Sequence, residues 1–133
     1  MPFLGIVLIF SLATVIYYLF RVIGLKRGLR RVNRGRRTQG WIYAFFDRGQ
    51  LIPTIKIGRA TNLDDRMRAH KTAAPFGLRI LCSFRVPDPV ATEKFLHRRY
   101  ASRRIRNNNE WFWLTPNILI ELALLNLFKP YRN

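Results

Sequence analysis

Acidic side chains are scarce in this chain. Seven Asp and Glu stand against twenty-four Lys and Arg over 133 residues, a formal charge of +17. Such an excess points to a polyanionic neighbour, nucleic acid or the anionic face of a membrane, and composition alone does not choose between them. Cysteine is nearly missing. With Cys82 alone, an intramolecular disulfide framework and a zinc site built on several cysteines are both excluded, and with them a secreted, stapled mini-protein. No internal repeat or low-complexity stretch is present, and the length is about one domain's worth, which rules out a large multidomain enzyme. Apolar side chains are not lacking. At 49% hydrophobic and 14% aromatic the chain is too rich in them to be a disordered basic tail.

Phe3 to Phe20 reads FLGIVLIFSLATVIYYLF, eighteen residues without a charge. As a helix this is about 27 Å long, close to the ~30 Å hydrocarbon thickness, and Val22, Ile23 and Leu25 extend it past Arg21, whose long side chain can snorkel. A cleaved signal peptide needs a basic region ahead of the apolar stretch and a small-residue cleavage site after it. Here nothing basic precedes and a dense basic run follows. A buried soluble helix would show a polar face, and Ser11, Thr14, Tyr17 and Tyr18 supply little of one. The expectation is a transmembrane anchor over residues 1–25.

Residues 21 to 37 carry eight basic side chains and no acid, the first acid of the chain being Asp47. By the positive-inside rule the N-terminus lies outside and everything C-terminal lies in the cytoplasm, a single-pass membrane protein. Residues 26–39 read as a basic juxtamembrane linker set against anionic membrane lipids. Residues 40–133 read as one soluble domain. From residue 38 onward the chain still has sixteen basic and all seven acidic side chains, a net charge of +9.

In that domain GWIYAFF at 40 to 46 is aromatic and β-branched. A DRGQ turn signal and LIPTIKI follow, which together predict a β-hairpin with Pro53 near the start of the second strand or on an edge. Thr61 or Asn62 caps a first helix, with Asp64 and Asp65 at its positive end. LRILCSFRV at 78 to 86 alternates as a third strand. Asp88-Pro89 opens a second helix through about Ser102, EWFWL at 110 to 114 is a short strand or a packed corner, and Thr115-Pro116 opens an apolar third helix. The class is α+β, a small antiparallel three-stranded sheet flanked by helices, preceded by one transmembrane helix.

Arg66 and His70 are four apart and share a helix face, with Arg59 just before it, and such a face can hold a phosphate. Arg68 and Lys71 add positive charge to the same helix. Glu93 and His97 are likewise four apart. A single carboxylate on a basic domain can ligate one hard divalent cation, since Mg²⁺ is often held by one or two carboxylates plus substrate phosphate. The alternative is that Glu93 pairs with Lys94, Arg98 or His97 on a solvated helix. Tyr43 also reads as an ordinary strand aromatic, His97 as a structural hydrogen-bonding residue, and Trp111, Phe112 and Trp113 as core.

Taken in order, WIY at 41 to 43, KIG at 56 to 58, Arg66 with His70, Glu93 with His97, and EWFWL at 110 to 114 resemble the GIY-YIG nuclease superfamily. The closer likeness is to its phage-associated branch with KIG in place of YIG. The resemblance covers roughly residues 40 to 114. It implies phosphodiester cleavage of DNA with Mg²⁺ or Mn²⁺: Tyr43 activates the attacking water, Arg66 holds the scissile phosphate, His70 is a second polar group one turn on, and Glu93 binds the metal. Lys56 stands where the second motif's tyrosine belongs and is a cation that could favour the Tyr43 phenolate. Asn107 to Asn109 are a loose counterpart of a late asparagine found in active members. Three readings stay open: a membrane-anchored endonuclease, a non-cleaving nucleic-acid-binding module of the same fold with Arg59, Arg66, Arg68 and Lys71 on DNA, and a basic structural membrane protein.

Overall fold

The computed structural model describes residues 2–35, 38–47, 51–73, 77–105 and 110–131. The elements run α1 (Pro2–Val32), β1 (Gly40–Asp47), β2 (Thr54–Ala60), α2 (Leu63–Ala73), β3 (Leu78–Val86), α3 (Pro89–Arg99), a 3₁₀ turn (Ala101–Arg103), β4 (Trp111–Trp113) and α4 (Pro116–Leu127). The α+β class holds. The capping chemistry legible in the sequence operates as expected: the side chains of Asn62, Asp88 and Thr115 accept from the backbone N–H groups of Asp64, Ala91 and Ile118 at 3.0, 3.0 and 3.3 Å.

The sheet has four strands, in the order β3-β1-β2-β4, not three. The short aromatic stretch left open as strand or corner is the fourth, pairing Thr54 with Trp113, Ile55 with Phe112 and Lys56 with Trp111. Without it the outer edge of β2 would present bare backbone groups. Two flanking bonds extend the seam, Ile57 N–H to the Glu110 carbonyl (3.1 Å) and Leu114 N–H to the Pro53 carbonyl (3.0 Å). Pro53 therefore lies just before β2 and contributes only its carbonyl. The hairpin turn after Asp47 lies outside the described residues.

Helices cover both faces of the sheet. On one face Ile42, Ala44, Ile55, Ile57, Phe84 and Phe112 pack against the inner residues of α1, α3 and α4. On the other, Tyr43, Phe45 and Ala60 pack against Leu63 and Met67 of α2. A bulge in the β1–β3 ladder pairs Ala44 with Cys82 but Phe45 with Ile80. One residue of β3 is thus skipped, so Leu78 and Ile80 serve the α2 face while Cys82, Phe84 and Val86 serve the other. Burial raises the Cys82 thiol to about 12, which makes it an inert packing group.

The N-terminal helix departs from the expected division into anchor and linker. It runs unbroken to Val32, so residues 26–32 of the stretch assigned to a linker are helical, while 36 and 37 lie outside the described residues. Its first half is bare: Phe3, Leu8, Phe10 and Phe20 are all more than 60% exposed. Its second half is core. Leu25 and Leu29 are completely buried, at positions four apart that face α3 and α4. A Cβ on Gly28 would collide with the Phe95 ring, so the missing side chain sets how closely α1 approaches α3. Arg21 does not snorkel into solvent. Its guanidinium donates to the Tyr17 hydroxyl (2.8 Å) and to the fully buried Glu121 carboxylate (3.2 Å), which Arg99 also binds through Nε at 3.1 Å. Asn33 closes the joint, donating to Thr92 Oγ1 (2.8 Å) and accepting from Asp88 N–H (2.7 Å) at the start of α3.

The second half of α1 is therefore part of the domain. Leu29→Ala should destabilise the full chain by about 2–5 kcal/mol, the usual cost of emptying a buried leucine site, measured by denaturant unfolding in detergent. A chain beginning at residue 38 should lose cooperative unfolding altogether. One beginning at residue 20 should retain it.

Candidate functional site

Tyr43 and Gly58 are direct partners across the β1–β2 ladder. A Cβ on Gly58 would lie 2.5 Å from the Tyr43 hydroxyl oxygen, so the glycine of KIG is what lets the phenol lie across β2. The hydroxyl ends 3.5 Å from His70 Nε2, the outer limit of a hydrogen bond. His70 occupies the inner stripe of α2 with Leu63 and Met67, and its ring meets Phe45 edge-on at 5.1 Å. Arg66 sits one turn earlier on the edge of that stripe.

The electrostatics assign protonation states. Burial, followed by the positive fields of Lys56 and Arg66, lowers the His70 pKa below its ordinary 6.5, so the imidazole is neutral near pH 7. Burial is also the main cause that raises Tyr43 above 10. Glu110 and Glu93 add to that rise, and Arg66 opposes it. Among the cations around the hairpin, the one whose field bears on the Tyr43 phenol is Arg66. Lys56 instead binds Glu110 at 3.0 Å, which holds that carboxyl below its usual range, and lies 6.0 Å over the Trp111 ring.

Glu93 is held by Arg59 at 3.0 Å, and its field reaches Tyr43. The two groups thus sit within electrostatic reach, although α3 and α2 cover opposite faces of the sheet. Arg59 and Arg66 line a cleft of about 330 Å³ between the end of β2 and the starts of α2 and α3, with Thr61, Asp88 and Pro89 in its walls. The other two proposed nucleic-acid contacts do not converge there. Arg68 is exposed and tied to Asp65 at 3.0 Å, and Lys71 lies at the far end of α2 beside a shallow hollow with Met67 and Ile80. His97 Nε2 meets the Ile57 carbonyl at 2.8 Å and its ring packs on Phe112, so it fastens α3 to β2. Of the aromatic triplet only Phe112 is fully buried, and Trp113 is 40% exposed. Asn107 to Asn109 lie outside the described residues. Glu110 is the group that sequence reasoning passed over. Its pairing with Lys56 depends on the fourth strand, and no spacing rule announces that.

A small, strongly basic α+β domain, with a phenol–imidazole pair and two arginines gathered around the hairpin, is the class that fold and site define. Residues 40–126 match the T5orf172 domain, and the chain belongs to that family, a phage-associated, nuclease-related one. No curated protein and no solved structure matches the chain.

The assigned states are measurable. The His70 imidazole should titrate below 6.5 by NMR, and Lys56→Met should move it upward. Because the unfolded chain binds that proton more readily, the associated stability is fully present above about pH 6.5 and is lost as pH falls through the lower native value. In ultraviolet difference titrations against Tyr43→Phe, the Tyr43 phenol should ionise above 10, and Arg66→Gln should raise it further.

Proposed function

We propose that this chain is a membrane-anchored, GIY-YIG-like nuclease that hydrolyses DNA phosphodiester bonds in a metal-dependent reaction. The observation that carries the reading is the Tyr43 hydroxyl at 3.5 Å from a neutral His70 Nε2, with Arg66 alongside. A phosphate entering the cleft meets the guanidinium forks of Arg66 and Arg59, whose planar donors match its oxygens. As water attacks phosphorus, its proton passes to the Tyr43 oxygen while Tyr43 gives its own to His70 Nε2, and the bond to the leaving oxygen breaks. The phenolate is thereby never fully formed, which suits a tyrosine that burial keeps protonated.

Glu93 is the carboxylate on which a hard divalent cation would rest in this reading. Among the described residues no three His, Cys, Asp or Glu side chains gather around one point, but Mg²⁺ is commonly held by one carboxylate together with waters and substrate phosphate. Glu93, already seated against a cation in the form of Arg59, would hold Mg²⁺ or Mn²⁺. Such an ion supplies charge neutralisation at the leaving oxygen.

A second reading, a nucleic-acid-binding module without cleavage, draws on the same ion pair. Glu93 is already paired with Arg59 and the Tyr43 hydroxyl already faces His70 Nε2, so the site is complete as a binding surface. The full chain in detergent, assayed for nicking of supercoiled DNA, separates the two. Hydrolysis predicts nicks in Mg²⁺ or Mn²⁺, none with chelator, and a loss of about 10²-fold or more in Tyr43→Phe or Glu93→Ala, the scale of a removed proton-transfer group. Binding alone predicts no nicks, indifference to chelator, and affinity falling with salt at a slope of about 0.9 per neutralised phosphate.

Membrane anchoring is proposed from α1, which is long and apolar enough to cross a bilayer. By the positive-inside rule its basic second half favours an N-terminus outside and a domain in the cytoplasm, with anionic lipids next to the arginines. In this arrangement the chain resists carbonate extraction, and protease added outside intact cells leaves the domain whole. Cleavage of the domain from outside would reverse the orientation.

A further inference from the structure

Away from the hairpin, a second cleft of about 430 Å³ opens between α1, the 3₁₀ turn and the start of α4. Three arginines line it, Arg21, Arg99 and Arg103, against the single carboxylate of Glu121. Arg21 and Arg99 are both engaged by that carboxylate. Arg103 is exposed and makes no ion pair among the described residues. Tyr100 also lines the cleft. It is 96% buried, given its 4% exposure; Arg99 acts on its hydroxyl only as a donor, so its O–H finds no acceptor among the described residues, and neither does the Nε–H of Arg21. A buried donor left open is costly. Burial and Glu121 hold the Tyr100 phenol protonated, so it remains a donor. The positive end of α4 faces the same space, beginning at the Thr115 cap.

The position of the cleft narrows the choice of ligand. Tyr18 bonds Asn117 at 2.8 Å and Arg21 bonds Glu121 at 3.2 Å, so α1 and α4 run side by side in the same direction. Arg21 directly follows the apolar run ending at Phe20. With α1 across a bilayer, the start of α4 and the mouth of the cleft lie at head-group depth, flanked by Tyr17 and Tyr18, as aromatic belts are.

We infer that this cleft is a binding site for the phosphate of an anionic phospholipid head group, held by Arg103, Arg21 and the Tyr100 hydroxyl. The inference rests on the membrane reading of α1. Its ligand chemistry is a phosphate diester, and it seats the domain at a defined height on the bilayer, separate from the DNA-facing cleft of Arg59 and Arg66.

The full chain in detergent is titrated with phosphatidylglycerol, phosphatidylcholine, glycerol phosphate and inorganic phosphate, with retention followed by native mass spectrometry and thermal unfolding. Two variants are used. Arg103→Gln removes an exposed charge outside the Glu121 network, and Tyr100→Phe removes one hydroxyl and keeps the ring. The expected result is selective retention of phosphatidylglycerol, weakened about tenfold by each variant, the factor that a lost charge-assisted hydrogen bond of ordinary strength corresponds to. Equal retention in wild type and variants overturns the site. Protection by inorganic or glycerol phosphate as strong as by the lipid overturns the lipid source, and displacement of the lipid by DNA assigns the cleft to nucleic acid instead. Carbonate extraction of the same variants keeps the failures apart: a chain that stays in the membrane but shows no selective lipid overturns the cleft alone, and one that washes off overturns the anchoring reading.

Discussion

A carboxylate with no access to water organises this protein. Glu121 is wholly buried in α4, and an isolated buried charge is expensive enough that it persists only when paired and hydrogen-bonded. Its partners come from two different places, Arg99 at the end of α3 and Arg21 on α1. The apolar helix and the domain are therefore fastened by the same group that would otherwise unfold the domain. Around this ion cluster, Leu25 and Leu29 fill the space between α3 and α4, and Asn33 ties the helix end to Asp88 and Thr92. The joint is rigid because the Glu121 carboxylate, the Arg21 and Arg99 guanidinium groups and the Asn33 amide each bond a residue from another element.

That rigidity reaches the site. Asn33 bonds the first turn of α3, and Glu93 follows Thr92 directly, so the clamp that ends α1 also positions the carboxylate beside Arg59. On the opposite face of the sheet, α2 brings His70 over the phenol that Gly58 leaves room for. The two helices contribute unlike groups: an arginine cation and a neutral imidazole from one, a carboxylate from the other. A sheet only one residue thick lets their fields overlap at Tyr43. A phenol kept neutral by burial, with a neutral imidazole at the edge of bonding distance, favours a passed proton over a standing phenolate.

Much was legible along the chain. Cap residues, the hairpin and the class followed from local chemistry, because an Asn, Asp or Thr bonds the backbone two or three residues on, whatever the rest of the chain does. Arg66 and His70 share a face by helical period alone. Other features were not legible. The fourth strand, three residues long, has too little period to read, and Lys56 finds Glu110 only through it. The Arg59–Glu93 pair joins residues from a strand and a helix whose packing no spacing rule fixes. The packing of the second half of α1 into the domain was hidden for a related reason: Arg21, Lys26 and Arg27 interrupt the apolar run, while Leu25 and Leu29 continue its inner stripe.

By itself the sequence determined a membrane-length apolar run, an excess of positive charge on both sides of residue 38, an α+β domain and the residue types for phosphate chemistry. These are properties of composition and of contacts within a few residues. Tertiary structure alone decided which cation faces which acid, that the phenol stays protonated, and that half of the apolar helix belongs to the domain core. Desolvation and Coulomb fields act through space, and the distances that set them exist only once strands and helices from distant parts of the chain have packed together.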